Sequence, residues 1–250
     1  VVFPELTLTG YPPEDLLLRP SIGAQTEAAL ARLRAELPET LWVVVGYPIT
    51  APEGLYNGSG VIHGGAIVAE YRKQTLPNYQ VFDEKRYFIP GDKPCVFDIA
   101  GYQIGMTICE DIWNPAPAAL ARDAGAQLLI NLNASPFHRG KRRERQDLLA
   151  VRAQDNQFPI VYANQVGGQD ELVFDGGSFA VDATGEVKMS APAFVPGSFW
   201  LNAQADPAGA LQLTGDIAPD DHELAAVWQA LVLGVRDYVE KNGFPGVVLG

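Results

Sequence analysis

The run Ile104-Gly105-Met106-Thr107-Ile108-Cys109-Glu110-Asp111-Ile112-Trp113 decides how this chain is read. Its first five residues, apolar or β-branched, make a short buried strand. The strand stops on a cysteine followed by two carboxylates. A thiol at the C-terminal edge of a sheet stands on a rigid support and faces a crevice. The same thiol also reads as an inert core cysteine, the commonest fate of free Cys. To act as a nucleophile Cys109 needs a base or a cation beside it, because only a small part of a thiol is ionised at neutral pH.

Outward from that run, short apolar stretches alternate with helical patterns. Val1–Phe3, Leu41–Val45, Gly60–His63, Ala66–Tyr71, Val96–Ile99, Gln127–Leu132 and Ile160–Ala163 read as strands. Ser21–Leu37, Ala116–Ala124 and Lys141–Asn156 read as helices. Asn57-Gly58 is a turn signal, and Gly64-Gly65 between two apolar runs predicts a hairpin. Strands joined by both hairpins and helices point to an α/β protein with a mixed sheet under helices. From Ala203 to Ile217 the core pattern fades. Asp220–Lys241 then reads as an amphipathic helix, with Leu224, Val227, Trp228, Leu231 and Val235 on one stripe. Asn242-Gly243 ends it, and Val247-Val248-Leu249 predicts a further strand.

The whole-chain figures restrict function. The 250 residues fit one large domain, or one domain with part of another, and 47% hydrophobic residues suffice for a substantial core. A net charge of −12 opposes binding to phosphate backbones and anionic lipid, so neither nucleic acid nor a membrane is expected as partner. Two cysteines are no disulfide framework and suit a reducing, cytoplasmic compartment. The opening Val1-Val2-Phe3, without an initiator Met, reads as the tail of a strand whose beginning lies elsewhere.

The three histidines, His63, His138 and His222, are scattered and have no metal-ligand spacing. A Ser-His-Asp or zinc mechanism finds no support in them, and no metal site is expected. Carboxylates and lysines remain. Glu5 sits at the end of the opening apolar stretch, where a carboxylate taken partly out of water is a candidate base. Lys73 follows the strand Ala66–Tyr71, and an ammonium there can stabilise both a thiolate and an oxyanion. Taken singly, each also reads as a solvated strand end. Three such residues at three strand ends are harder to set aside.

Phe3-Pro4-Glu5-Leu6, Lys73 followed by Leu76-Pro77, and Cys109-Glu110-Asp111 resemble, in order and spacing, the Glu-Lys-Cys triad of the nitrilase superfamily. The runs Leu8-Thr9-Gly10-Tyr11-Pro12-Pro13-Glu14-Asp15, Leu76–Tyr79 with Phe82-Asp83-Glu84, and Asn133–Phe137 with Lys141 are similar to the glutaminase domains of glutamine-dependent NAD synthetases. The resemblance implies a four-layer α-β-β-α sandwich over residues 1–215, with the first strand and helix of such a domain absent. It implies that residues 216–250 are the lead-in to a truncated ATP-dependent synthetase domain. Glu5 would be general base, Cys109 nucleophile and Lys73, with the Glu110 N–H, the oxyanion holder. Tyr79, Ser135 and Lys141 would grip L-glutamine, with Tyr11 and Glu110 as further pocket residues, and Glu84 would orient Lys73. The basic residues Arg139, Arg142, Arg143 and Arg145 read as a solvated helix start. The resemblance implies no cofactor in this fragment, ATP and Mg in the absent domain with deamido-NAD as its substrate, and a homo-oligomer. A free-standing amidase or carbamoylase and a non-catalytic interaction domain stay open beside it.

Overall fold

The computed structural model describes residues 1–248. Its elements in chain order are α1 (Ser21–Glu36), β1 (Val43–Ala51), β2 (Gly54–His63), β3 (Ala66–Arg72), β4 (Cys95–Ile99), β5 (Tyr102–Ile108), α2 (Pro115–Asp123), β6 (Leu128–Asn133), α3 (Lys141–Asn156), β7 (Ile160–Asn164), β8 (Val166–Gln169), β9 (Leu172–Asp175), β10 (Phe179–Val181), β11 (Val187–Ser190), β12 (Leu201–Ala205), β13 (Leu211–Gly215) and α4 (Glu223–Lys241).

Alternation along β1 sets the layering. Val43, Val45, Tyr47 and Ile49 turn to one face and bury Leu30 of α1, with Leu33 packed against them. Val44 turns to the other face, where it joins Val61 of β2 and Tyr71 of β3. These three meet Phe97, Ile104, Met106, Ile108, Ile130 and Leu132 of a second sheet. That sheet has six strands in the order β11-β10-β7-β6-β5-β4, against the three-stranded order β1-β2-β3. Its far face carries Leu129, Ile160, Tyr162, Phe179 and Val181, covered by Ala118 and Ala121 of α2 and Leu149 and Ala153 of α3. Helix, sheet, sheet and helices make the four-layer α-β-β-α sandwich. Each fully buried Leu or Ile in it contributes about 1.5–3 kcal/mol. Among the described residues no helix is long and apolar enough to cross a membrane.

Strand direction places the chemistry. β5, β6 and β7 run parallel, with Ile108 opposite Leu132 and Asn133 opposite Asn164. Their C-terminal ends, followed by Cys109, Ala134-Ser135 and Gln165, therefore lie side by side. The opening residues run along β1 through a single parallel bridge, Val2 to Val44, instead of a full strand. Gly46 allows the chain to cross there, because a Cβ on it would lie 2.4 Å from the Leu6 nitrogen. An alanine at position 46 would push the Glu5 segment off its support.

Several expectations are corrected. Asn57-Gly58 is no turn but the middle of β2, with Gly58 opposite both Tyr47 and Arg72. The actual turn between β1 and β2 falls at Pro52-Glu53, because Gly58 is needed for closeness: a Cβ there would lie 2.3 Å from Ile49 Cδ1. Strands β8 to β11 had no counterpart in the sequence reading, being three or four residues long. The faded stretch Ala203–Ile217 contains most of the hairpin β12–β13, which buries Leu211 and Leu213. Val247 and Val248 lie outside any strand, and Leu249 lies outside the described residues. The large stripe residues of α4 are not packed: Leu224, Trp228, Leu231 and Val235 are exposed. The helix docks instead through Ala230 and Leu233, and Gly168 N–H donates to Asp237 at 2.7 Å.

Candidate active site

Three separate strand ends converge on one buried polar cluster. Lys73, just past β3, is fully buried, as is Glu5. Lys73 Nζ donates to Glu5 Oε1 at 2.7 Å and to Glu84 Oε1 at 2.8 Å. Two carboxylates on one enclosed ammonium leave the cluster short of positive charge. Tyr11 OH donates to Glu84 Oε1 at 3.1 Å, which places Tyr11 deep beside that carboxylate. Asn57 Nδ2 donates to Glu5 Oε1 at 2.7 Å and more weakly to Glu84 Oε2 at 3.4 Å. The remaining Glu5 oxygen, Oε2, accepts from Ala134 N–H at 3.1 Å. That last bond ties the β6 end to the opening segment.

Cys109 sits at the turn from β5 into a short 3₁₀ segment, Cys109–Ile112, with φ at +45°. A left-handed backbone at a non-glycine residue is strained and is held by its surroundings. The holder is Asp111, fully buried. Its Oδ1 accepts from Gln74 N–H at 3.0 Å and Thr75 N–H at 2.7 Å. Its Oδ2 accepts from Ile108 N–H at 3.1 Å and Tyr71 OH at 2.8 Å. Asp111 thus fastens the segment leaving Lys73 to the turn that presents Cys109.

Electrostatics follow from this crowding. Burial pushes the Cys109 thiol well above the ordinary cysteine value, with Glu5 adding to it and Lys73 opposing. The thiol is therefore protonated at rest and needs a base. Burial also works against the charge on Lys73, but Glu5, Glu84 and Cys109 outweigh it and hold the ammonium well above the usual lysine range. Burial pushes the Glu84 carboxyl up to about 7, against the pull of Lys73. Asp111 rises to about 6, again through burial, with Lys73 and the backbone N–H groups of Ile108 and Thr75 opposing.

The outer residues form a second group. Tyr79, 49% exposed, donates its hydroxyl to Glu110 Oε1 at 2.9 Å, so these two stand together at the surface beside Cys109. Lys141 Nζ lies 4.0 Å from the centre of the Trp113 ring and 3.2 Å from Glu144. Ser135 is buried, and its Oγ accepts from Arg145 Nε at 3.2 Å. Arg145 is no solvated helix residue. It is 2% exposed and binds both oxygens of Asp175, at 2.8 and 3.0 Å. Arg142 also turns inward, with Nε 3.0 Å from Asp220, while Arg139 and Arg143 are exposed and pair with Glu223 and Asp147.

Sequence reasoning missed Asn57, Asp111, Tyr71 and the Arg145–Asp175 pair. Only Arg145 left a usable signal. It falls four residues before Leu149 and eight before Ala153, on the buried stripe of α3. Asn57 and Asp111 gave none, since their partners come from other strands.

The carbon-nitrogen hydrolase family profile matches residues 1–202. The glutamine-dependent NAD(+) synthetase of Xanthomonas campestris is 47% identical over 255 residues, spanning 100% of this chain and 46% of that protein. The solved glutamine-dependent NAD+ synthetase of Acinetobacter baumannii, in complex with ADP, superposes with a TM-score of 0.90 at 38% identity, over 98% of this chain and 46% of that one. A mutant Nesterenkonia amidase from the nitrilase superfamily superposes with a TM-score of 0.69 at 28% identity, over 76% of this chain and 72% of its own. The chain spans about half the length of the curated relatives it matches.

Proposed function

This chain belongs to the carbon-nitrogen hydrolase family, and from that premise we propose that it hydrolyses L-glutamine to glutamate and ammonia as the glutaminase part of a glutamine-dependent NAD(+) synthetase. The amide chemistry rests on the buried Glu5–Lys73 pair beside Cys109. Glutamine as the amide rests on the likeness to such synthetases along the whole chain.

Glu5 takes the thiol proton while Cys109 Sγ bonds to the side-chain amide carbon. Lys73 and the Glu110 N–H stabilise the oxygen as it gains charge, and one such donor commonly contributes about 10²–10³ in rate. The C–N bond then breaks, and Glu5 returns its proton to the departing nitrogen, which leaves as ammonia. Water next gives a proton to Glu5 and its oxygen to the thioester carbon. The C–S bond breaks, the thiol is restored and glutamate departs. Glu84 holds Lys73 in place. Tyr79 with Glu110, Ser135 and Lys141 bind the α-amino and α-carboxylate groups, and Tyr11 closes the inner wall.

The proposal extends to the protein this chain would serve. Residues 1–215 form the glutaminase region and 216–250 lead into the synthetase region, where ATP and Mg²⁺ drive amidation of deamido-NAD with this ammonia. Among the described residues no group of three or more His, Cys, Asp or Glu side chains is placed to hold a metal ion. The Mg²⁺ therefore belongs elsewhere, and no step here runs through it. A cytoplasmic homo-oligomer completes the proposal, supported by the exposed Leu224, Trp228 and Leu231 of α4. A free-standing amidase is the second reading, favoured only by the weaker likeness to the Nesterenkonia enzyme.

The test is covalent labelling. A diazoketone analogue of glutamine should modify Cys109 stoichiometrically, and glutamine should protect it better than acetamide or butyramide does. If a plain haloacetamide labels Cys109 while the glutamine analogue does not, the glutaminase reading fails.

A further inference from the structure

Asn57-Gly58 reads as a turn in sequence, yet it lies in the centre of a sheet. There the Asn57 side chain, 1% exposed, points into the catalytic cluster. A carboxylate oxygen offers about two acceptor sites. On Glu5, Oε1 has both filled: Lys73 Nζ and Asn57 Nδ2 each lie at 2.7 Å. Oε2 accepts only the Ala134 N–H, at 3.1 Å, and keeps one site free.

The amide orientation is fixed by charge. With Nδ2 toward Glu5 and Glu84, Asn57 Oδ1 is left buried without a partner. Turned the other way, the carbonyl oxygen would face a carboxylate oxygen at 2.7 Å. That contact is repulsive unless a proton lies between them. An orphan acceptor is costly in an interior, and sheets seldom tolerate one without reason.

We propose that Asn57 is a positioning residue for the catalytic proton. Together with Lys73 it occupies Oε1 of Glu5, so the proton exchanged with Cys109 and with the leaving amine is carried on Oε2. This rests on the glutaminase reading above. In the first step the Sγ–H bond breaks and the Oε2–H bond forms. In the second, Oε2–H breaks as the nitrogen takes the proton and the C–N bond cleaves. In the third, water supplies the proton to Oε2, and it returns to Sγ as the C–S bond breaks. Oε1 remains an acceptor throughout. The charged and titratable groups around Glu5 are Lys73 after β3, Glu84 in the loop that follows, Cys109 after β5 and Tyr11 on its own segment.

Asn57→Asp tests this while keeping shape. It replaces a donor with a like charge, so Glu5 should hold its proton to higher pH. The acid limb of kcat/KM for glutamine should move up by one pH unit or more. Activity at neutral pH should fall at least about tenfold, the rate equivalent of one pKa unit, and recover toward alkaline pH. KM should change less than about twofold, since the residue does not touch substrate. Asn57→Ala should shift the limb the same way by less, having lost a donor without gaining a charge. An unshifted acid limb in Asn57→Asp, with uniform loss at every pH, overturns the proposal. Iodoacetamide alkylation of Cys109 against pH reads the same proton without glutamine. Should the wild-type chain prove inert toward glutamine while Asn57→Asp still shifts that alkylation profile, the substrate reading fails and the role of Asn57 stands. No shift by either probe overturns the role of Asn57 alone.

Discussion

Two buried ionic clusters lie at neighbouring ends of the same parallel strands, and they are built on opposite rules. In one, Arg145 meets a single anion, Asp175, and spends its remaining N–H groups on Ser135 Oγ and the carbonyls of Ser135 and Pro136. Charge is balanced and every guanidinium nitrogen has an acceptor. In the other, Lys73 is shared by Glu5 and Glu84. Asp111 adds a third carboxylate to its field, and one oxygen of Glu5 keeps a free acceptor site. A balanced pair has no reason to move a proton. An unbalanced one, enclosed in the same low-dielectric interior, holds groups whose protonation changes near neutral pH. Stability and reactivity are here separated by how many anions each cation must serve.

The comparison breaks most visibly at the balanced pair. Arg145→Leu would leave Asp175 charged and alone, and removing one partner of a buried pair costs about 3–5 kcal/mol. Denaturant melts should show that loss, and a double variant that also carries Asp175→Leu should recover much of it. If Arg145→Leu melts like wild type, Arg145 and Asp175 are not the structural pair described. A smaller effect on folding and a larger one on rate are expected at the unbalanced cluster. Lys73→Ala should lower glutamine turnover by about 10²–10³, the value of one oxyanion donor, almost as far as Cys109→Ala. Single-turnover measurement of thioester formation checks it, and a variant within tenfold of wild type would remove Lys73 from the chemistry.

The finest test uses pH. The Glu84 pKa is raised by folding, from 4.5 to about 7. A raised carboxyl contributes stability that is complete below pH 4.5 and is lost as pH climbs through 7. Wild type should therefore weaken across that window relative to Glu84→Gln, by at most about 1.4 kcal/mol per pH unit. Asp111, shifted in the same direction to about 6, contributes equally to both proteins and cancels. Unfolding midpoints at pH 5, 6, 7 and 8 give the comparison. Parallel curves would mean that Glu84 is ionised throughout.

The sequence by itself determined the layers and the triad. Period-two alternation in Val43–Ile49 and the apolar runs at β5 and β6 dictate which faces are buried, because that information is local to each strand. Glu5, Lys73 and Cys109 stand out for the same reason: each closes an apolar run. The lead from single residues ended there. Asn57 read as a turn because Asn-Gly is a turn pair in isolation, while its amide is needed by a carboxylate 52 residues away. Arg145 read as solvated because its neighbours are basic, although the helix turns it onto Asp175, 30 residues on. The stripe of α4 read as a packed face, but only its small residues meet the hairpin β8–β9. Burial of a polar group is decided by whether a distant partner fills its last hydrogen bond, and a single strand of sequence carries no record of that partner. Tertiary structure alone decided which carboxylate oxygen was left free.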